Sequence, residues 1–195
     1  MATLQSNGSS SIDLSLHVEN AYFGFRPDFL LLYCLRQDAK QEARTSVVDI
    51  RCALAKLDPH EVAELQKPVF MVPSPPSHHG AMGGERWSDP RPVFGDLRVD
   101  PNFICHFPGM KALEPMAQRA LDRFEEVVLQ RDIVRHIAVQ PGGMLLLNNR
   151  KVAHGRSSFE ARYDGSDRWL QRVYVTRKRS SYSGEDAAGV VFPML

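Results

Sequence analysis

The chain has 195 residues, 43% hydrophobic and 24% charged, with 24 Lys plus Arg against 23 Asp plus Glu and a formal net charge of +1. That balance belongs to an ordinary globular protein with one sizeable core, and it lacks the basic excess by which nucleic-acid and anionic-membrane binders are recognised. The longest apolar run, Phe29 to Leu35, falls far short of the roughly 20 residues that span a bilayer, and MATLQSNGSSS has no basic-then-apolar leader, so the chain reads as cytoplasmic.

Residues 1–11 are polar and rich in Ser and Gly and read as a flexible or partner-dependent start. Ile12, Leu14 and Leu16 then alternate with Asp13, Ser15 and His17, the period of a strand, which sets His17 and Glu19 on the face opposite the leucines. After a turn at Arg26-Pro27-Asp28, FLLLYCLR reads as a buried strand. Thr45 to Ile50 reads as another strand, or as the lead into a helix ending near Leu57. Pro59 to Leu65 has the acidic first turn and spacing of a helix, which Pro68 ends. Val72 to Pro92, rich in Pro, Gly, Ser and His and without periodicity, reads as a long surface loop or lid, with His78 and His79 solvated. Val93 to Phe103 reads as a short strand or turn.

Leu113, Met116, Ala117, Ala120, Leu121, Phe124, Val127 and Val128 recur at three- and four-residue spacing, an amphipathic helix whose stripe faces the core. Ile137 to Val139, the turn Pro141-Gly142-Gly143 and Met144 to Leu147 read as a hairpin leading to Asn148-Asn149-Arg150, and Leu170 to Thr176 alternates again. Cys34, Cys52 and Cys105 are odd in number and form no CxxC pair; they suit a reducing cytosol and read as small buried apolar residues. Short strands, one long helix and turn-rich joints predict a single mainly-β domain over residues 1–195, an antiparallel sandwich or barrel with helices added.

His17 and Glu19 form an H-x-E pair, and His154 follows a second strand far along the chain. Side chains two apart on a strand leave from the same face. Two imidazoles and one carboxylate are the donor set that leaves three positions open on a non-heme Fe(II) ion. The spacing alone leaves the choice open, since H-x-E arises by chance and a lone histidine after a strand is more often a hydrogen-bonded structural residue.

Three segments, LHVENAYFGFRPDFLLLYCLR (Leu16 to Arg36), LDPHEVAELQKPVF (Leu57 to Phe70) and PGGMLLLNNRKVAHGRSSFEARYDGSDRWLQRVYV (Pro141 to Val175), together resemble the clavaminate synthase-like branch of the Fe(II)/2-oxoglutarate-dependent oxygenases, related to taurine dioxygenase. The likeness runs from about Gln5 to Val175 and is most specific where HGR, RYDG and DRWL occur together. It implies a double-stranded β-helix, or jelly-roll, with His17, Glu19 and His154 as the catalytic iron ligands. Arg168 matches the arginine that pairs with the distal carboxylate of 2-oxoglutarate, and Thr45 lies where a threonine hydroxyl meets the same co-substrate. A planar guanidinium suits that task, because it takes a carboxylate through two parallel hydrogen bonds and stays charged. On the substrate side the resemblance points to Arg172, matching the arginine that holds a substrate carboxylate in amino-acid hydroxylases, and to Asn7, Asp100 and Asn102. Arg156 and Arg162 also fall in the motif and read as solvated or structural cations near a hairpin. The implied activity is hydroxylation of an amino acid or a small derivative with Fe(II), 2-oxoglutarate and O2, releasing succinate and CO2. Related halogenases vacate the carboxylate position for chloride, so the retained Glu19 favours hydroxylation, with desaturation as the lesser alternative.

The chain departs from the family pattern in three places. The family has a substantial region before its H-x-E strand, and here sixteen residues precede His17. The expectation is a jelly-roll incomplete at its N-terminus, whose exposed edge a second copy would cover, or a shortened homologue serving as a non-catalytic binding or scaffold module. Phe23 and Gly24 stand where relatives often have His and Pro. Asn102 stands where arginine-hydroxylating relatives have a second acidic residue, which weakens the case for a cationic substrate side chain. A hydrolytic metal site is disfavoured, because no suitably spaced general base accompanies the ligands and Arg168 would have no role.

Overall fold

Alternating apolar residues can hide only one side of a strand, and that rule organises the computed structural model, which describes residues 11–38, 40–107 and 109–177. In chain order the elements are β1 (Leu14–His17), β2 (Phe29–Arg36), β3 (Thr45–Asp49), α1 (Ile50–Leu54), α2 (Pro59–Leu65), β4 (Phe70–Met71), α3 (His79–Met82), β5 (Lys111–Ala112), α4 (Pro115–Val128), β6 (Arg135–Ile137), β7 (Met144–Asn148), β8 (Val152–Arg156) and β9 (Trp169–Val175). The first sheet has the order β1-β8-β3-β6, the second β7-β2-β9, and β4 pairs with β5. Each of these strand pairs is antiparallel. The expected mainly-β architecture with added helices is what forms.

Val48 and Ala153 lie paired on the back of the first sheet and, with Leu16, join a core that includes Leu121, Phe124 and Val128 of α4. The stripe predicted for α4 is the buried one, although Leu113 and Met116 at its start stay exposed. Asp58 caps α2 with a reciprocal capping box to Glu61, and Pro59 at the first helical position needs no hydrogen-bond donor there. Thr45 to Ile50 satisfies both readings at once, since β3 runs straight into α1 with Asp49 as the cap. Among the described residues no helix is long and apolar enough to cross a membrane.

Five expectations change. FLLLYCLR is buried on one side only: Leu30, Leu32 and Cys34 face inward while Leu31 and Tyr33 are half-exposed. β6 and β7 do not form a hairpin, because β6 pairs with β3 in the first sheet and β7 with β2 in the second. The joint from β8 to β9 likewise crosses between sheets. Cys34 and Cys105 are buried as expected, whereas Cys52, on the outer side of the short α1, is exposed. The loop over residues 72–92 is pinned rather than loose at its base: Ser88 donates from its backbone to Val72 at 2.9 Å, and Pro73 bridges Trp87.

Candidate metal centre and its pocket

β8 lies between β1 and β3, in a register that puts His17 opposite His154, Val47 opposite His154, and Thr45 opposite Arg156. Cross-strand neighbours share a face, so these side chains point to one side of the sheet. Between Leu14 and His17 the register slips: three steps on β1 match two on β8. That extra residue is a β-bulge, and it overturns the simple alternation read for the strand. Leu14 thereby joins the pocket side with His17, while Leu16 turns into the core. Gly155 is the residue that permits so close a crossing, since a Cβ there would sit 2.5 Å from the Leu14 carbonyl oxygen.

Glu19 is not in the strand at all; β1 ends at His17. Its place is set by backbone anchors instead. Val18 N–H donates to Cys105 O at 2.8 Å, and Glu19 N–H donates to Asn149 Oδ1 at 2.8 Å. The Asn149 amide returns bonds to Glu19 O at 3.2 Å and Pro27 O at 3.0 Å. Asn20, with φ of 57°, then turns the chain away, in the left-handed region that asparagine tolerates.

The result is a cluster in which one ligand atom each from His17, Glu19 and His154 lies within 4.8 Å of the others. The two imidazole rings are 4.4 Å apart between centroids, and His154 Nε2 is 3.4 Å from Glu19 Oε1. His17 Nδ1 lies 2.9 Å from Ser15 O, an oxygen that can only accept, so Nδ1 carries the proton and Nε2 keeps a free lone pair. Desolvation, reinforced by the neighbouring His154, pushes His17 down to about 3, which keeps its ring neutral. Burial alone would raise Glu19, but its hydrogen bond with His154 and the charge of Arg172 prevail and hold the carboxyl well below the usual range. A neutral His17 imidazole beside an ionised Glu19 carboxylate is the protonation state in which these two groups bind a cation. With a donor set of two nitrogens and one oxygen in reach of a common point, these residues fit a non-heme iron ion.

The facing wall comes from the second sheet. Arg172 Nη1 donates to Glu19 Oε1 at 2.9 Å and Oε2 at 3.1 Å, and Tyr174 O–H donates to Oε2 at 2.6 Å. Burial and the Glu19 charge push the Tyr174 phenol up, so it stays a donor. Between the walls lies a cavity of about 320 Å³ lined by Glu19, His154, Thr45, Arg156, Arg168 and Arg172, with Leu14, Leu32, Phe159, Trp169 and Leu170 as its apolar part. Arg168 Nε is buried with no hydrogen-bond partner. Burial, and then repulsion from the Arg156 guanidinium, lowers Arg168 from its ordinary value. Two cations in one half-closed pocket call for an anion, and a guanidinium with a free Nε–H can take a carboxylate.

The fold therefore brings Glu19, His154, Thr45, Arg168 and Arg172 to one cavity, with His17 beside it in the cluster. It holds Asp100 and Asn102 elsewhere: Arg150 Nη1 donates to Asp100 Oδ2 at 3.2 Å and Asn102 Oδ1 at 3.1 Å, and Arg26 also reaches Asn102. Neither lines this cavity. Asn7 lies outside the described residues. Of the two readings for these cations, Arg156 takes the structural one, buried in the pocket wall, and Arg162 the solvated one, exposed. His78 and His79 are not in the cluster; His78 packs its ring on Phe23 at 5.4 Å, and His79 Nε2 lies 3.1 Å from Ser74 O. Tyr174 and Asn149 were not singled out by sequence. For Tyr174 a signal existed, since it stands two residues after Arg172 on an alternating strand; for Asn149 there was none.

A family model described as "Taurine catabolism dioxygenase TauD, TfdA family" matches residues 2–174. The chain is 36% identical to the L-asparagine oxygenase of Streptomyces coelicolor, over 98% of this chain and 56% of that protein. It is 30% identical to clavaminate synthase 2 of Streptomyces clavuligerus, over 94% of this chain and 56% of the relative. The chain thus spans about half the length of the curated relatives it matches. Among solved structures, an asparagine oxygenase in complex with Fe(II), 2S,3S-3-hydroxyasparagine and succinate superposes with a TM-score of 0.80 at 33% identity, covering 90% of this chain and 53% of that one. The likeness bears out the expected jelly-roll architecture.

Proposed function

The chain belongs to the TauD/TfdA family of dioxygenases, and on that premise we propose that it is an Fe(II)- and 2-oxoglutarate-dependent oxygenase that hydroxylates an unactivated C–H bond of an amino acid or small amino-acid derivative. The balance is R–H plus O2 plus 2-oxoglutarate giving R–OH, succinate and CO2. The observation that carries this reading is the pairing across one cavity of a His17, Glu19 and His154 cluster with Arg168, whose buried Nε has no partner. His17, Glu19 and His154 would hold the iron. When bound, that ion supplies the activation of dioxygen, coupled to oxidative decarboxylation of the co-substrate and oxygen transfer to the substrate carbon.

The protein's own residues bind, orient and exclude water. Arg168 takes the distal carboxylate of 2-oxoglutarate, with the Thr45 hydroxyl beside it and Arg156 adding positive potential from the same wall. Arg172, at the mouth of the cluster, takes the substrate carboxylate. Leu14, Leu32, Phe159 and Leu170 keep the walls apolar, which strengthens each of these charged contacts by lowering the local dielectric. In this reading residues 1–195 act as one domain, and the 72–92 segment, which reaches the turn after Glu19 through His78 on Phe23, covers the entrance. The partner is a free amino acid or a close derivative, as it is for the asparagine oxygenase above.

A second copy of the chain is the proposed macromolecular partner. Met144, Leu146, Val173 and Val175 are all exposed around Leu31 on the outer face of the second sheet. These side chains are all apolar, which suits contact with the same face of a second copy.

Anaerobic titration with Fe(II) and then 2-oxoglutarate tests the reading. A weak visible charge-transfer band should appear with both present and be lost in His154→Ala, and Fe(II)-dependent succinate formation should rise with one member of an amino-acid panel. No band and no succinate with any member would refute it.

A further inference from the structure

Tyr174 and Arg172 stand two residues apart on β9 and so leave the same face of the second sheet, both reaching Glu19 across the cavity. Their contacts with the carboxylate differ. Arg172 Nη1 straddles the two oxygens at 2.9 and 3.1 Å, whereas the phenol donates to Oε2 alone at 2.6 Å. Oε1 is the oxygen that lies 3.4 Å from His154 Nε2. An O–H···O⁻ bond of this length is charge-assisted and directional, the kind that fixes a carboxylate rotamer.

We propose that Tyr174 is a positioning residue that occupies Oε2 of Glu19 and so leaves Oε1 as the one oxygen presented toward the two imidazoles. The proposal rests on the reading of His17, Glu19 and His154 as an iron site. A carboxylate can hold a cation through one oxygen or through both. Holding it through both uses a coordination position that a chelating 2-oxo acid needs, because three protein ligands leave only three positions open. A phenol that keeps Oε2 engaged therefore preserves room for the co-substrate. Phenylalanine at 174 would fill the same volume and leave Oε2 with only the longer 3.1 Å contact from Arg172, so that the carboxylate can turn that oxygen toward the ion.

The test uses the full chain as wild type, Tyr174→Phe, and Val173→Ala, the last altering the opposite, solvent-facing side of β9. Each is loaded anaerobically with Co(II), its visible spectrum is recorded, and 2-oxoglutarate is titrated in. Tyr174→Phe is expected to change the Co(II) spectrum before any co-substrate is added and to raise the 2-oxoglutarate Kd about 10-fold, while Val173→Ala matches wild type. Tyr174→His, which offers a ring N–H from the same position, should recover part of the affinity; it also replaces the Phe variant if that one does not fold, read then as a spectrum closer to wild type than that of Tyr174→Ala. An unchanged spectrum and Kd in Tyr174→Phe overturns the role of Tyr174 alone. A wild type that takes up neither Co(II) nor 2-oxoglutarate overturns the iron-site reading and this proposal with it.

Discussion

β8 and β2 are both inner strands of antiparallel sheets, yet β8 is covered on each side and β2 on one. Behind β8, Ala153 has no exposed surface and packs into the core beneath α4, and in front of it lies the His17, Glu19 and His154 cluster. Behind β2, Leu31 and Tyr33 meet solvent, flanked by Met144 and Leu146 at 61% and 59% exposure and Val173 at 50%. Two of the residues that would hold an ion, His17 and His154, are thus mounted on the sheet that is clamped from both sides, with Glu19 anchored just beyond β1. Those that would hold diffusible molecules, Arg168 and Arg172, begin or line the sheet with one free face. A metal site tolerates little movement of its ligands, whereas a binding wall gains from being able to adjust.

That contrast can be broken most directly at the first sheet. His154→Ala removes a ligand from the rigid wall and should weaken Co(II) or Fe(II) binding by at least about 100-fold, measured by anaerobic titration; retention of wild-type affinity would mean that the cluster is not the metal site. Arg168→Ala, on the second wall, should leave metal affinity unchanged and raise the 2-oxoglutarate Kd by roughly 10- to 100-fold, the loss of a charge-assisted bond of about 1.5–3 kcal/mol. If metal and co-substrate affinity fell together, the two walls would not be separable in function. Gly155→Ala should lower stability by about 1–3 kcal/mol in urea denaturation, because the added methyl meets the backbone of β1 rather than a side chain that can turn away. Leu146→Lys, on the free face of the second sheet, should change unfolding free energy by less than about 0.5 kcal/mol. It should nonetheless shift the light-scattering mass from two chains to one, and a single-chain mass in the wild type would remove the proposed self-association.

Several features were legible because they depend on neighbours in sequence. The α4 stripe, the acidic first turn and spacing of α2, the strand period of β9 and the punctuation at Pro68 and Gly142-Gly143 all express local rules. Pairing was not legible in the same way. Ile137 to Leu147 has the look of a hairpin because a tight turn joins two apolar runs, yet each run finds a better partner far away, β6 on β3 and β7 on β2. The bulge between Leu14 and His17 was hidden for a related reason: alternation on one strand says nothing about an extra residue counted against its partner. The buried Arg156 shows the same limit, since an arginine's exposure is decided by what closes over it.

By itself the sequence determined the residue types of the candidate site and the family motifs that join them, His17, Glu19, His154, Arg168 and Arg172, because those are statements about chemistry and order along the chain. Only the tertiary structure decided that Glu19 is carried beyond the end of β1 and held by Asn149, that Tyr174 reaches its second oxygen, and that Asp100 and Asn102 are engaged by Arg150 outside the cavity. The reason is physical: Glu19 meets Asn149 across 130 residues and Tyr174 across 155, and contacts at such separation are selected by the packing of two sheets rather than by any pattern within reach of a local reading.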